Sequence, residues 1–492
     1  MRTAAQPTAT GLEAAQPVVV TQSPFKERAQ AALCDRSLRQ SFRGAMDFLT
    51  AKRAGVFDDP AEWQALSQLG EHIRQRALSK LPDLLEQLEH RCQQNGIHVH
   101  WAESTEQANQ VVHGILAQHQ ATQVVKGKSM VSEEMALNHY LAERGVACLE
   151  SDMGEYIVQL AGETPSHIIM PAIHKSKAQI AALFAEHLPG VPYTEDVDAL
   201  IQIGRQVLRQ KFLDAEVGIS GVNFAVAETG TLCLVENEGN GRMCTTVPKV
   251  HIAVMGIEKV VEKLIDVAPL YSLLTRSATG QIVSTYLNLI NGPRRPGELD
   301  GPQEVHLVLL DNGRSQAFAD TQLRATLQCI RCGACMNHCP VYARIGGHAY
   351  GTVYPGPIGQ IISPHLLGLQ ATPALPGASS LCGACGDVCP VKIPIPALLT
   401  RLRTEAARPA NEQPHAMRGQ GANANLRERQ LWRWWRWLNT SPIAYRLLTW
   451  LLSRARHHLP KQLKPWTQVR TLPRPAPKTL HELMRQRTGR TS

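Results

Sequence analysis

The sequence predicts an α/β domain built on a mostly parallel sheet, followed by a small helical domain organised around cysteines and a basic helical tail. Three observations carry that reading. Over residues 96–311, short apolar runs alternate with stretches of helical spacing, the pattern of strand–helix–strand units. Between residues 318 and 406, seven cysteines fall in two tight runs. From Arg401 onward the chain gathers 19 Lys and Arg against four Asp and Glu. With 492 residues and 43% hydrophobic content, the chain can bury large cores and is long enough for two or three domains.

Taken in order, residues 1–22 are rich in Ala, Thr, Gln and Pro and read as a disordered N-terminus with no basic-plus-apolar export signal. Residues 23–95 read as helical. Apolar side chains recur at helical spacing through Trp63, Leu66, Leu69 and Ile73, then Leu78, Leu81, Leu84, Leu85 and Leu88. In the α/β region the expected strands are Gln123 to Val125, Val146 to Leu149, Ile168 to Met170, Leu232 to Val235, His251 to Met255 and Val305 to Leu310. The expected helices lie around Glu133 to Glu143, Lys177 to Glu186 and Val197 to Leu213. Residues 318–406 form the cysteine domain, with helical flanks at Asp320 to Gln328 and Ile395 to Glu405 and a Gly- and Pro-rich connection from Gly346 to Pro376. Residues 407–492 are the basic, Trp-rich extension.

The cysteine spacing carries chemistry. Cys329, Cys332, Cys335 and Cys339 read C-x2-C-x2-C-x3-C before Pro340, and Cys382, Cys385 and Cys389 read C-x2-C-x3-C before Pro390. Short spacers wrap a backbone around three corners of an iron–sulfur cube, and the cysteine before proline is turned toward the other cube. Structural zinc is the alternative, but zinc ribbons rarely place three cysteines at this pitch with a fourth before proline. The crossover rule assigns Cys329, Cys332, Cys335 and Cys389 to cluster one, and Cys339, Cys382 and Cys385 to cluster two, both [4Fe–4S]. Matching the runs back from their prolines puts Ser379 where a further cysteine would stand. Two readings of the fourth ligand of cluster two stay open. Ser379 or Ser380 supplies an oxygen and both clusters are ordinary relays, or the iron is open, converting to a three-iron cluster or binding water or a small oxygen donor.

The other cysteines, Cys34, Cys92, Cys148, Cys233 and Cys244, have no ligand spacing and read as buried small apolar residues. Free thiols beside a cluster motif indicate a reducing compartment, here the cytoplasm. The net charge of +9 is local, because the terminal segment from Arg401 carries +15 and the preceding 400 residues carry −6. That distribution argues against a nucleic-acid partner. Six of the eight tryptophans also lie in this segment; Trp432, Trp434, Trp435, Trp437 and Trp450 are interleaved with Arg433, Arg436 and Arg446. Indoles among arginine stems suit a surface that is apolar on one side and wet on the other. Such a surface rests on a partner subunit, on the chain itself, or peripherally on an anionic membrane. Charges interrupt each apolar run well short of the ~20 residues of a spanning helix.

Polar and glycine residues cluster at Gly218 to Gly230 and at Glu236 to Arg242, as ligand-approaching loops or as tight turns between strands. Lys126-Gly127-Lys128-Ser129, followed by Glu133 and Glu134, is a strand-to-helix turn whose cations suit a carboxylate, with capping and solvated charge as the plainer reading. Neither glycine segment has the spacing of a dinucleotide fingerprint or a phosphate loop. His174 and His251 read as hydrogen-bonded core residues rather than catalytic bases.

Together these residues resemble the lactate utilization protein B family. The resemblance covers most of the chain. It rests on Val125 to Met130, Asp152 to Gln159, Pro165-Ser166-His167 through Lys175, Gly218 to Arg242, Cys244-Thr245-Thr246, Cys329 to Tyr342, Ile345 to His348 and Tyr354 to Gly359. It implies a lactate-utilization (LUD) domain, similar in fold to the sugar-phosphate isomerase and CoA-transferase class. It implies also an α-helical ferredoxin with two [4Fe–4S] clusters on the seven cysteines, and a family C-terminal extension. Ser379 departs from the eight-cysteine pattern of related ferredoxins. The implied role is electron transfer in the oxidation of L-lactate to pyruvate. The implied partners are an iron–sulfur protein rich in Cys-Cys-Gly motifs and a smaller LUD-domain protein. A self-sufficient iron–sulfur lactate dehydrogenase and a cluster-based redox sensor or scaffold are the alternatives. The residues assign no catalytic base.

Overall fold

The computed structural model describes residues 24–407, 426–458 and 471–488; the N-terminal segment read as disordered lies outside them. The described chain forms two compact units, residues 24–406 and the remainder from 407.

The first unit begins with four helices, Phe25–Cys34, Arg36–Val56, Pro60–Ser79 and Leu81–Gln94. Their starts follow local chemistry. Asp35 accepts from Leu38 N at 2.9 Å, and Asp59 accepts from Ala61 N at 2.8 Å with Pro60 in the first turn. The second of these helices buries Phe42, Met46 and Leu49, and Phe42 meets Tyr342 edge to face at 5.5 Å. A Cβ on Gly346 would come within 2.7 Å of the Phe42 ring, and Gly346 has φ +66°, so only glycine permits this approach.

Ten strands follow: β1 Ile97–Ala102, β2 Gln123–Lys126, β3 Ala147–Glu150, β4 Val217–Gly221, β5 Phe224–Val226, β6 Thr231–Glu236, β7 Val250–Gly256, β8 Val260–Val261, β9 Tyr286–Ile290 and β10 Glu304–Leu310. Six make one wholly parallel sheet in the order β1-β10-β7-β4-β2-β3. β7 and β10 are buried along nearly their whole length, as near-continuous apolar runs covered on both faces should be.

The remaining four strands form a second sheet, β8-β5-β6-β9, with β5–β6 and β6–β9 antiparallel. The expected strand at Leu232 to Val235 therefore belongs here. Only Ala227 to Gly230 join β5 to β6, too short for a parallel crossover, and Gly230 turns the chain at φ +68°.

Three other expectations change. Ile168 to Met170 is no strand, because His167 Nδ1 accepts from Ile169 N and Met170 N at 3.0 and 3.1 Å, and this side chain replaces a ladder. The helix expected over Glu133 to Glu143 divides into Met130–Glu134 and Leu137–Ala142 around Ala136 at φ +49°. The Gly- and Pro-rich connection contains a helix, Gly356–Leu367, started by Pro357 near its N-terminus and burying Ile358, Ile361 and Ile362. Cys34 is exposed, whereas Cys92, Cys148, Cys233 and Cys244 are buried as expected.

Between Arg314 and Ala407 the regular elements are short helices and 3₁₀ turns, closed by the helix Ile395–Ala407. The second unit, taken alone, contains helices Leu426–Thr440, Pro442–Arg454 and Leu480–Thr488. Trp432, Trp434, Trp435 and Trp437 are each more than half exposed. Among the described residues no helix is long and apolar enough to cross a membrane.

Candidate metal centre

Two loops in the first unit repeat one design. In the first, a 3₁₀ turn Leu323–Gln328 leads to Cys329, Arg331 turns at φ +62°, Gly333 turns at φ +76°, and the helix Ala334–Asn337 leads to Cys339-Pro340. In the second, a 3₁₀ turn Leu375–Gly377 leads to Ser379, Leu381 turns at φ +54°, Gly383 turns at φ +92°, and the helix Ala384–Asp387 leads to Cys389-Pro390. Left-handed backbone at a non-glycine residue is strained, and both loops place it at the same step. The hydrogen bonding repeats as well. Arg331 N donates to Cys329 Sγ at 3.3 Å, and Leu381 N donates to Ser379 Oγ at 3.1 Å. Ser379 thus stands in its loop where Cys329 stands in the other.

Six of the seven cysteines converge on one apolar core. Cys332, Cys335, Cys339, Cys385 and Cys389 are buried, Cys329 is partly buried, and Cys382 is exposed. Burial is the first cause of raised thiol pKa values, to about 11 at Cys385 and about 12 at Cys389. Backbone N–H groups lower several of these values, and neighbouring thiolates raise them. Cys332 and Cys335 are both raised by Cys329 and Cys389, whereas Cys339 is raised by Cys382, and Cys385 by Cys339 and Cys382. Cys389 also senses Cys385, its neighbour one helical turn away. Backbone donors point at the sulfurs of Cys339 and Cys389, from Tyr342 N at 3.5 Å and Ile393 N at 3.3 Å.

This donor set fits iron–sulfur clusters. A tetrahedral zinc ion would draw its sulfurs to about 3.8 Å of one another. Among the described residues, the groups whose ligand atoms all lie within 4.8 Å are His119–Glu304–His306 and Glu133–Glu150–Glu155, and no trio of thiols is among them. The wider spread suits the larger cube. Buried thiols whose charged forms burial disfavours need a bound cation, and iron coordination deprotonates them. N–H donors to sulfur are the contacts by which proteins tune such clusters.

The first loop is anchored under the α/β sheets by a buried ionic network. Glu258 accepts from Arg314 Nε at 2.6 Å and Arg331 Nη2 at 3.0 Å. Glu134 accepts from Arg314 at 2.8 and 2.9 Å and from the Tyr354 hydroxyl at 2.9 Å. Arg74 donates to the carbonyls of Leu327, Gln328, Glu258 and Val260. The flanking cations hold Glu258 down to about 2 despite its burial. Sequence reasoning missed this set. Its signal was the pair Glu258-Lys259 inside the apolar run Val250 to Val261, where charges persist only if paired or used.

A cavity of about 460 Å³ opens where the carboxyl ends of β2, β4 and β6 meet this loop. Lys128, Asp152, Asn223, Lys259, Arg331 and Tyr354 are among its walls. Ligand crevices of open α/β sheets lie at this end of the strands. The glycine-bearing segments singled out from sequence thus serve in part as walls, through Ser220 to Asn223 and Glu236 to Gly241. Of the two lysines, Lys128 reaches the cavity and pairs with Asp152 at 3.1 Å. Lys126 does not; it is fully buried against Glu150 at 2.7 Å and Glu133 at 3.1 Å. His251 is buried with Ser220 Oγ at 2.8 Å, and His174 lies between Ser166 Oγ and Glu163 at 2.6 and 2.7 Å.

An α/β domain bearing a cysteine-rich segment of this design defines an iron–sulfur protein, and the comparisons agree. The LUD domain family matches residues 85–310, the 4Fe-4S dicluster domain residues 325–393, and the C-terminal domain of lactate utilisation protein B residues 401–489. Lactate utilization protein B of Shouchella clausii is 41% identical over 96% of this chain and 98% of its own, and that of Bacillus subtilis is 40% identical over 92% and 94%. An uncharacterized electron transport protein, YkgF, of Escherichia coli is 45% identical over 78% of this chain and 81% of its own. The chain belongs to the lactate utilization protein B family.

Proposed function

We propose that this chain is the electron-carrying subunit of an L-lactate-oxidising complex, working in the cytoplasm. Its partners in this reading are a Cys-Cys-Gly-motif iron–sulfur protein and a smaller LUD-domain protein. The observation that carries the reading is the pair of cysteine loops of one design, whose thiols lie in a common apolar core apart from the exposed Cys382; the charge coupling of Cys332 and Cys335 with Cys389 supports the crossed assignment. In this account residues 318–406 are an all-α ferredoxin domain. Cys329, Cys332, Cys335 and Cys389 hold one [4Fe–4S] cluster, and Cys339, Cys382 and Cys385 hold the other, with Ser379 Oγ at the remaining corner. When bound, such clusters accept and release single electrons, so a pair suits a two-electron oxidation.

The protein's own part is to exclude water from the first set and to leave the second near the surface. Arg53, Arg74, Lys259 and Arg331 place positive charge close to the first set. Cys382 and its neighbour Leu381 are exposed, which favours exchange with a partner at that edge. The names of the relatives support the pathway, and the exposed Trp- and Arg-rich helices of the tail support a docking role against a partner.

The test is anaerobic. L-lactate is added to the cluster-loaded chain, alone and with both partners, while visible absorbance is followed. The proposal expects bleaching only when the partners are present. Bleaching of the isolated chain would make it a dehydrogenase in its own right.

A further inference from the structure

We propose that the cavity beside the first cysteine loop is a binding site for a small carboxylate, with Lys259 and the guanidinium of Arg331 as its cationic partners. The carboxylate class follows from the geometry alone. The narrower assignment to a 2-hydroxy or 2-oxo acid rests on the electron-carrier reading above.

The cations of this region do not balance internally. Arg74, Lys259, Arg314 and Arg331 are all at least nine-tenths buried, and the carboxylates in contact with them are Glu134 and Glu258. Arg314 uses both, and Arg331 reaches Glu258 through Nη2. Nη1 of Arg331 is buried without a hydrogen-bond partner. Lys259 is 5% exposed and lines the cavity, and its ammonium has no hydrogen-bond or ion-pair partner among the described residues. An unpaired buried ammonium or guanidinium arm is expensive to maintain, so a protein keeps one where an anion arrives.

Of the other charged walls, Lys52 lies over the Phe48 ring at 4.8 Å and Glu238 accepts from Met153 N at 3.4 Å. Asp152 pairs with Lys128, and Glu236 accepts from Gly241 N and Arg242 N at 2.7 and 2.6 Å. Tyr354 steadies the arginine, whose guanidinium lies 4.8 Å from the ring centroid. The volume of about 460 Å³ falls within the range of small-molecule sites. Arg331 lies between Cys329 and Cys332 in sequence, so the bound anion sits beside the first thiol set.

The competing account is that Lys259 and Arg331 serve only to offset thiolate charge at Cys329. Anaerobic calorimetry on the full cluster-loaded chain separates the two, titrating L-lactate, pyruvate, propionate and inorganic phosphate into wild type, Lys259→Met and Lys259→Arg. The proposal expects saturable one-to-one binding of lactate or pyruvate, weakened at least tenfold in Lys259→Met and largely retained in Lys259→Arg. It also expects saturating carboxylate to lower the midpoint potential of the first-set cluster in wild type. This second readout stands if Lys259→Met fails to load iron. Absence of saturable carboxylate binding, tighter binding of phosphate, or equal binding by Lys259→Met would overturn the site. Partner-dependent bleaching without carboxylate binding by this chain would remove the site and leave the electron-carrier role. Binding without bleaching in the full complex would do the reverse.

Discussion

The loop from Cys329 to Cys339 and the loop from Ser379 to Cys389 follow the same backbone path in different surroundings. Both bend through a left-handed non-glycine residue and a left-handed glycine, and both aim a backbone N–H at the leading side chain. The first loop is fastened from several sides. Arg331 joins Glu258, Asn337 Oδ1 lies 2.9 Å from His167 Nε2, and the Tyr342 hydroxyl donates to Ser166 O at 2.6 Å. The second loop is held by Arg403 to Pro376 O and Ser379 O at 2.7 and 2.8 Å, by Gln360 to Ala378 O at 2.7 Å and by Arg53 to Val388 O at 3.3 Å, and it reaches solvent at Leu381 and Cys382. Ligand spacing thus sets what each loop can hold, while its surroundings set whether it faces the cavity or the outside. That division gives an electron carrier an inner end and an outer end.

The largest predicted effect breaks the anchoring of the first loop. Glu258→Gln leaves Arg314 and Arg331 without their shared charge, and should cost about 3–5 kcal/mol. Denaturant unfolding monitored by circular dichroism would measure it, and a loss below 1 kcal/mol would show that the network does not hold the loop.

A somewhat smaller effect comes from acid. Burial lowers the His167 pKa to about 4, so the folded protein keeps this ring neutral while the unfolded chain protonates it near 6.5. The unfolded state therefore binds the extra proton between those values. Stability should fall as pH drops from about 6.5 toward 4, by about 3 kcal/mol from this residue, and level off below. The difference between wild type and His167→Gln, measured by unfolding across that range, should shrink toward the acid end. A difference independent of pH would contradict the assignment.

The smallest effect sharpens the comparison. Ser379→Cys completes the ligand symmetry of the loops and should change only the second-set cluster, seen as altered electron paramagnetic resonance and greater resistance to iron loss in air. The first-set signal should stay as it was. A change in that signal would mean that Ser379 faces the other site.

The cysteine runs were readable because their geometry is local: three ligands within seven residues must wrap one object, wherever the segment sits. The parallel sheet was readable from apolar runs such as His251 to Met255 and Val305 to Leu310, each buried on both faces. The second sheet was not, because Leu232 to Val235 carries the same apolar signature and only its short link to β5 reveals its antiparallel partner. Ile168 to Met170 misled because it is apolar and at least partly buried yet satisfied by a histidine from its own segment. The pairing of Arg331 with Glu258, 73 positions apart, depends on tertiary folding that no local pattern encodes. The turn from Lys126 to Ser129 was read as suited to a carboxylate, but Lys259, whose side-chain nitrogen has no hydrogen-bond or ion-pair partner among the described residues, was passed over.

The most direct test of the interlocked sets compares Cys332→Ala, Cys339→Ala, Cys385→Ala and Cys389→Ala by electron paramagnetic resonance of the reduced, reconstituted chain. The account predicts that Cys389→Ala and Cys332→Ala lose one and the same signal, and that Cys339→Ala and Cys385→Ala lose the other. If Cys389→Ala instead pairs with Cys385→Ala, and Cys339→Ala with Cys332→Ala, each run holds its own cluster and the crossed arrangement is wrong.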